Sequence, residues 1–474
     1  MRVLSLILTF VVACLQVVSY VWAKPNVVVI MSDDMGWGQL GCEDIDEVVP
    51  TPNIDRIAEE GVMLRNYYVQ SVSSPTRAAF LTGRYPFRCG MEERTHGNDD
   101  VGMLKDERTV AQAMKESGYS TALFGKWHLG QWQKEHLPMQ RGFDHQYGHY
   151  SALIGSFDHS RGQKYYDWHR NEKPIYEEGY SSYLIAEEFG RVLKGREREK
   201  PFFYYVAYNA VHDPYEAPDE LIAKYKDHKL GKQLAMLEGM DISVGRILKS
   251  LENEGVLDDT LIVFFNDNGG TRAVGNEPLR GHKGNFYEGG VRVVCMARYP
   301  KAIKAGSEYD GLTYVADWYP TLINLGGGSL EQTFAIDGFD IWEGIARGKA
   351  SEREEIVHCV PGSHRKGAKR AIRLGDYKLV DDELYDVVND VYETKDLAKE
   401  KPEIFAKLEA RLEVLVSERR KPEVHNLIFP APMVYGKLEC ESVPEWLVKL
   451  DQDSGRYAKR VEREKEDKKA MGTH

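Results

Sequence analysis

Several charged side chains in this sequence sit at the ends of apolar runs, where a buried sheet would gather them. Asn26-Val27-Val28-Val29-Ile30-Met31 is β-branched and continuously apolar, as a buried strand should be, and Asp33 and Asp34 follow at once. Asp267 and Asn268 follow a second such run, Leu261 to Phe265. In α/β sheets ligands collect at the carboxyl ends of strands, so the two ends could converge on one point. Three carboxylates and one amide oxygen are hard donors, suited to Ca²⁺ or Mg²⁺ rather than zinc. Taken singly, Asp-Asp after a strand is also an ordinary turn or helix cap, and Asn266-Asp267-Asn268-Gly269-Gly270 is an ordinary turn. Lys126 and His128 alternate around Trp127 after a third predicted strand, which would place both on one side of an extended segment. His212 follows a fourth, Phe202 to Ala207. Lys283 lies in Leu279-Arg280-Gly281-His282-Lys283-Gly284, where the glycines permit a tight bend or a close backbone approach.

Ser73-Ser74-Pro75-Thr76-Arg77 alone reads as a turn entering a helix, with Pro near the first helical position. With Leu81-Thr82-Gly83-Arg84 behind it, the run resembles the signature of the type I sulfatases of the alkaline-phosphatase superfamily. Asn26 to about Asp340 looks like their catalytic domain, and Gly375-Asp376-Tyr377-Lys378-Leu379 with Glu383-Leu384-Tyr385-Asp386 resembles their C-terminal subdomain more weakly. Asn66-Tyr67-Tyr68-Val69 ahead of the signature is similar to arylsulfatase B and bacterial polysaccharide sulfatases. The resemblance implies that a maturase oxidises Ser73 to formylglycine before export. It implies that Asp33, Asp34, Asp267, Asn268 and modified Ser73 bind Ca²⁺, and that the hydrated aldehyde attacks sulfur. Arg77 and Lys126 would hold the hydrated aldehyde. Lys283 and His212 would contact the sulfate, His212 donating a proton to the leaving oxygen, and His128 would take the proton whose loss releases sulfate. Serine where animal enzymes carry Cys is similar to the bacterial type, and Thr76 stands where Ser is commoner.

The elements that must carry these residues are legible as an alternation of apolar runs and helix-like segments. The expected class is α/β: a large mixed, mostly parallel sheet sandwiched by helices, with a smaller C-terminal α+β subdomain containing an antiparallel sheet. Strands are expected over Asn26 to Met31, Ser120 to Phe124, Phe202 to Ala207 and Leu261 to Phe265. A helix starts at Thr51-Pro52, with Thr as cap; Ile54, Ile57 and Ala58 share its inner face and Gly61 stops it. Further helices are expected over Val110 to Ser117 and Lys232 to Glu252. Domains are expected at 1–23 (signal peptide), 24–350 (catalytic) and 351–474 (C-terminal subdomain and charged tail). In the last, Ala371 to Val380 and Glu383 to Val387 read as strands, Pro402 to Val416 as a helix, and Lys459 to Lys469 as a solvated charge run.

The chain of 474 residues carries a net charge of −12, which excludes nucleic-acid binding by bulk electrostatics but not a local cluster of cations for an anionic substrate. Arg2, the apolar stretch Leu4 to Ala13 and Val21-Trp22-Ala23 read as a secretory signal, so the protein is expected to be exported, periplasmic or secreted, with no stable membrane insertion. Val12-Ala13-Cys14 leaves a lipoprotein as the second reading. Cys42, Cys89, Cys295, Cys359 and Cys440 show no metal-type spacing, and the absence of any Asn-x-Ser/Thr sequon fits a bacterial source. Tyr150 to Trp168 is aromatic-rich, with His159 and Arg161 as candidate sugar contacts. A sulfated polysaccharide or its oligosaccharides is the substrate class expected from exported bacterial relatives. The alternatives are a phosphodiesterase or phosphonate hydrolase of the same superfamily, and a glycan-binding pseudosulfatase in which Ser73 stays unoxidised.

Overall fold

The structure, a computed structural model, describes residues 24–43, 49–95, 101–161, 165–274, 276–359, 370–422 and 436–437. The signal segment, Cys14, Cys440 and the charged run near the carboxyl terminus lie outside them. β-Branched and aromatic runs form the main sheet, because such side chains suit a pleated surface buried on both faces. Its strands are β1 (Asn26–Ser32), β2 (Val62–Leu64), β3 (Ser120–Lys126), β4 (His145–His149), β5 (His169–Arg170), β6 (Lys173–Pro174), β7 (Phe202–Ala207), β8 (Thr260–Asn266), β9 (Cys295–Arg298) and β10 (Ser307–Tyr309). The spatial order is β10-β2-β9-β8-β1-β7-β3-β4-β5-β6. Strands β8, β1, β7, β3 and β4 run parallel as one block, with antiparallel pairs towards both edges. The expected mostly parallel mixed sheet is what forms.

Side chains alternate across β1. Val27, Val29 and Met31 face one layer, and Val28 and Ile30 face the other. The first layer holds α2 (Ser73–Thr82), α3 (Val110–Glu116) and α6 (Trp318–Leu325); the second holds α1 (Pro52–Glu59), α4 (Ser181–Lys194) and α5 (Gly231–Asn253). Among the described residues no helix is long and apolar enough to cross a membrane. A separate four-stranded antiparallel meander, β11 (Glu355–Cys359), β12 (Ala371–Leu374), β13 (Tyr377–Val380) and β14 (Glu383–Asp386), carries α7 (Pro402–Val416) on it. Ile356, Ile372, Leu379, Leu384 and Leu412 join the same core cluster as α2 and α3, so this unit is packed into the first layer.

Two local expectations change. Ala371 to Val380 is not one strand but a hairpin, because Gly375 takes a left-handed φ of 60° and turns the chain at Gly375-Asp376. Thr51 precedes α1 without capping it: its hydroxyl accepts from the Gly41 N–H and donates to Asp55, both at 2.9 Å.

The parallel register sets the strand ends level. Ser32 lies opposite Asn266, Met31 opposite Ala207, and Ala207 opposite Gly125. The chain therefore places Asp33 and Asp267, each the next residue after its strand, and Lys126, the last residue of β3, at one end of the sheet. Gly125 has φ 102°, and a Cβ there would lie 1.9 Å from the Ala207 carbonyl oxygen. Gly125→Ala should therefore destabilise the fold by about 2 kcal/mol or more, through a strained φ and a backbone clash, and shift Lys126. Denaturant unfolding of the purified variant checks this; wild-type stability would show that the strand pair opens freely.

Candidate active site

Four adjacent parallel strands, β8, β1, β7 and β3, each deliver polar groups to their carboxyl ends. Beyond β1, the Asp33 N–H donates to the Ala210 carbonyl (2.9 Å) and the Val211 N–H to the Asp33 carbonyl (2.7 Å), so the segment after β7 is sewn to Asp33. Asn266 braces the other flank: its Oδ1 accepts from the Ser32 hydroxyl (2.8 Å) and the Met35 N–H (3.2 Å). Asp34 is held at a left-handed φ of 62°, a strained conformation for a residue with a Cβ. Such strain persists only where surroundings over-determine it, and here the backbone clamps on either side do so.

Ser73 opens α2, at the positive end of the helix dipole, and is almost fully buried. Its hydroxyl lies 3.4 Å from Asp33 Oδ1 and 3.3 Å from Asn268 Oδ1. One turn along, Arg77 donates to Asp267 Oδ2 at 2.7 Å and reaches Asp33 Oδ2 at 3.5 Å. Lys126 Nζ pairs with the same Asp33 oxygen. Lys283 Nζ pairs with Asp34 Oδ1 at 2.5 Å, and His212 Nε2 stands 3.5 Å from Asp34 Oδ2. Asn268 Nδ2 donates to Asp34 Oδ1 (2.8 Å). All of the sequence-predicted metal and catalytic residues except His128 are thus joined in one contact network, and His128 adjoins it two residues beyond Lys126.

Charge balance explains how so many ions are buried together. Burial alone would raise the Asp33 carboxyl, but Lys126, His212 and Arg77 hold it below its ordinary range. Burial likewise opposes the Asp34 charge, and Lys283 and His212 pull its pKa down. Burial and the neighbouring Arg77 depress Lys126, against the attraction of Asp33. The side chains of Arg77, Lys126 and Asp33 are fully enclosed, whereas His212 and Lys283 keep 12% and 17% of theirs exposed. The closed group is the floor of the site, and the half-open pair marks its mouth.

Among the described residues, Asp33, Asp34 and His212 are the His/carboxylate group whose ligand atoms all lie within 4.8 Å of one another. Asp267 stands in the same network, but Arg77 holds its Oδ2 and the Asp34 N–H approaches its Oδ1 at 3.4 Å. Carboxylate and amide oxygens dominate, a donor set fitted to a hard divalent cation.

The family model described as Sulfatase matches residues 25–328. Arylsulfatase J of Mus musculus is 35% identical over 360 residues, covering 73% of this chain and 59% of that protein's length. The chain belongs to the sulfatase family. N-acetylgalactosamine-6-sulfatase of Mus musculus is 30% identical over 381 residues, covering 75% of this chain and 71% of that protein. The solved structure of Ps i-CgsB in complex with k-i-k-neocarrahexaose superposes with a TM-score of 0.78 at 29% identity, covering 86% of this chain and 96% of that one. The family is one of sulfuric ester hydrolases on an alkaline-phosphatase-like fold, as the signature around Ser73 leads one to expect.

Within this sulfatase fold, His128 reaches the site by a different route from the expected alternation. β3 ends at Lys126, and His128 has a left-handed φ of 57°, so the two side chains do not share an extended segment. Its N–H donates to the Tyr150 carbonyl (3.1 Å). Its Nε2 lies 3.1 Å from the Thr95 carbonyl, which can only accept, so the proton of a neutral ring sits on Nε2. Nδ1 then carries the lone pair and has no partner among the described residues. Burial, with Lys126 and Arg77 nearby, holds the His128 pKa well below its ordinary value, so the ring is neutral and its Nδ1 lone pair is free of a proton.

Thr95 carries no motif that sequence reasoning could have used, and neither does Asp167. The buried Asp167 carboxylate accepts the N–H groups of Tyr150 (3.0 Å) and Ser151 (2.8 Å), fixing the turn against which Trp127 and His128 rest. The expectation that His159 contacts substrate is corrected: it is fully buried, stacked on Trp168 at 4.6 Å, and part of the wall. The side chain of Arg161 lies outside the described ones. Burial pushes His159 down to about 4. The folded protein thus resists its protonation, giving stability that is complete above 6.5 and lost as pH falls from 6.5 towards 4. His159→Gln should flatten that loss by up to about 1.4 kcal/mol per pH unit. Thermal unfolding across this window checks it, and an unchanged slope would place the ring in water.

Proposed function

We propose that the protein is an exported sulfatase that removes sulfate esters from a sulfated polysaccharide or its oligosaccharides. Ser73 is oxidised to formylglycine by a maturase before export, and the cation is Ca²⁺. The observation that carries this reading is the placement of Ser73 Oγ between Asp33 and Asn268, with Arg77, Lys126 and Lys283 around the same carboxylates. The neocarrahexaose bound to Ps i-CgsB supports a carbohydrate substrate, and the length of chain matched supports an enzyme built around the whole catalytic sheet.

Asp33, Asp34, Asp267 and Asn268 would hold the cation, with His212 near enough to Asp34 to share the site. A bound Ca²⁺ supplies positive charge that makes a hydroxyl on residue 73 a better nucleophile. Arg77 and Lys126 orient that residue from the enclosed floor and stabilise negative charge there. At the mouth, Lys283 and His212 meet the sulfate, and His212 donates a proton to the departing oxygen of the sugar. Attack of one hydroxyl of the hydrated aldehyde on sulfur leaves residue 73 as a sulfate ester; His128 Nδ1 then takes the proton of the second hydroxyl, the C=O bond forms and the C–O bond to sulfate breaks, restoring the aldehyde. An unoxidised serine has no second hydroxyl to give up.

The decisive assay is sulfate release from neocarrahexaose-type oligosaccharides, N-acetylgalactosamine 6-sulfate and an aryl sulfate, using protein made with its maturase. Release from a glycan is expected; glycan binding without release, or preference for phosphate esters, would overturn the reading. Lys126→Ala or Lys283→Ala should each cost about 3–4 kcal/mol of transition-state stabilisation. Near-wild-type turnover would remove that residue from the mechanism. Chelation should lower the melting temperature as well as activity, because Asp33 and Asp34 then lose a shared countercharge. Ca²⁺ at about 100 times its Kd should return roughly 2.7 kcal/mol of stability, and no thermal shift would argue against a cation site.

A further inference from the structure

The loop that carries Lys283 runs from Leu279 to Arg292 and is held from two sides. On the catalytic side, the Lys283 N–H donates to the Gly270 carbonyl (2.9 Å) and the Gly284 N–H to the Ser71 carbonyl (2.7 Å), two residues before Ser73. The other side faces the C-terminal meander. Arg280 donates to the Tyr385 hydroxyl (2.7 Å) and the Glu393 carbonyl (3.0 Å), and Tyr287 donates to Glu383. Beneath them lies a fully buried ion cluster. Lys378 Nζ, in β13, stands 2.8 Å from Glu288 Oε1 and 2.8 Å from Glu393 Oε1. Glu393 Oε2 also accepts the backbone N–H of Glu288 (2.7 Å), and Tyr68 donates to Glu288 Oε2 (2.6 Å).

Arg292 Nη1 also stands 3.5 Å from Glu288 Oε2, but among the described residues Lys378 is the cation that pairs with both carboxylates, and removing it leaves the buried Glu393 charge without a countercharge. Such a cluster admits one docking position. Glu288 is five residues from Lys283, and the turn between them is closed by the Asn285 N–H to the His282 carbonyl (2.9 Å) and the Gly289 N–H to the Arg280 carbonyl (2.7 Å). Displacement of Glu288 would therefore be passed to Lys283, whose Nζ must stay at the Asp34 carboxylate.

We propose that Lys378 is a positioning residue: through Glu288 and Glu393 it locks the C-terminal meander to the Lys283 loop and sets the reach of Lys283 into the site. The meander is then part of the catalytic apparatus through the loop it braces. This inference rests on the sulfatase reading for Lys283 and goes beyond it in assigning a role to the Gly375-to-Leu379 segment.

A double-mutant cycle tests it, with Lys378→Met and Lys283→Ala singly and together, read as turnover of a sulfate ester and as binding of inorganic sulfate by calorimetry. A misplacement of the order of an ångström costs about 100-fold in rate. Lys378→Met should therefore lose about 100-fold in kcat/KM with Lys283 present, and under about 3-fold with Lys283 already removed, because the two act on one contact. Sulfate affinity should fall in the same pattern. Equal losses in both backgrounds would show a general structural role and overturn the proposal, as would no loss in either. Should Lys378→Met fail to fold, Tyr385→Phe takes its place in the same cycle, since it removes a single hydroxyl, the one that receives Arg280 and bonds Glu383. A wild-type protein that releases no sulfate would sink the sulfatase reading, while the sulfate-binding cycle would still decide the lock.

Discussion

Two adjacent aspartates buried at the end of a central strand set the terms for everything around them. Asp33 and Asp34 have essentially no solvent access, and like charges in such a place persist only if positive charge is brought to them. The chain brings it from three separate elements: Arg77 on α2, Lys126 at the end of β3, and Lys283 on the loop after β8. Each cation is fixed by the carboxylate it neutralises, so they form a preorganised pocket for an anion in a protein of net charge −12. Under the proposed function a hard divalent cation would share the oxygens of the same carboxylates. The acidic pair and the cationic ring are therefore one device, and the parallel register that levels the strand ends allows it to assemble.

Much of this was legible in the sequence because charged residues abruptly following buried apolar runs have few explanations. β7 and α7 have the expected limits; β1, β3 and β8 run one or two residues further at their carboxyl ends, where Lys126 closes β3 and Asp33 and Asp267 follow β1 and β8, and β8 also starts one residue earlier. Ser73 and Arg77 were legible only through the resemblance that their spacing carries. What failed to show was geometry that depends on φ. His128 and Asp34 take left-handed conformations, which Asp and His adopt more readily than most residues, but nothing in the sequence marks these two positions for it. Gly375 inside an apolar run was a hairpin signal that the alternation concealed. His159 looked like a surface contact because it lies in a polar, aromatic stretch, yet that stretch folds inward and stacks it on Trp168.

Groups that act at a distance were the least legible. Thr95 sets the tautomer of His128 through one carbonyl, and Asp167 holds the turn beneath it through two backbone N–H groups. Lys378 and Glu288 are 90 positions apart in the chain and 2.8 Å apart in space. Pairings of this kind follow from how the meander packs on the first layer of the main sheet, which no single segment encodes. They show why a site of a few residues needs the whole fold: the floor comes from the strand ends, and the mouth from a loop braced by a second sheet.

The central claim is that Ser73 is not the working group but its precursor. Mass measurement of the tryptic peptide from Asn66 to Arg77, taken from protein made in its own host, addresses that most directly. The account predicts a peptide lighter by two hydrogens, or its hydrated form, marking an aldehyde at residue 73. An unmodified serine in host-made protein that still releases sulfate would contradict it.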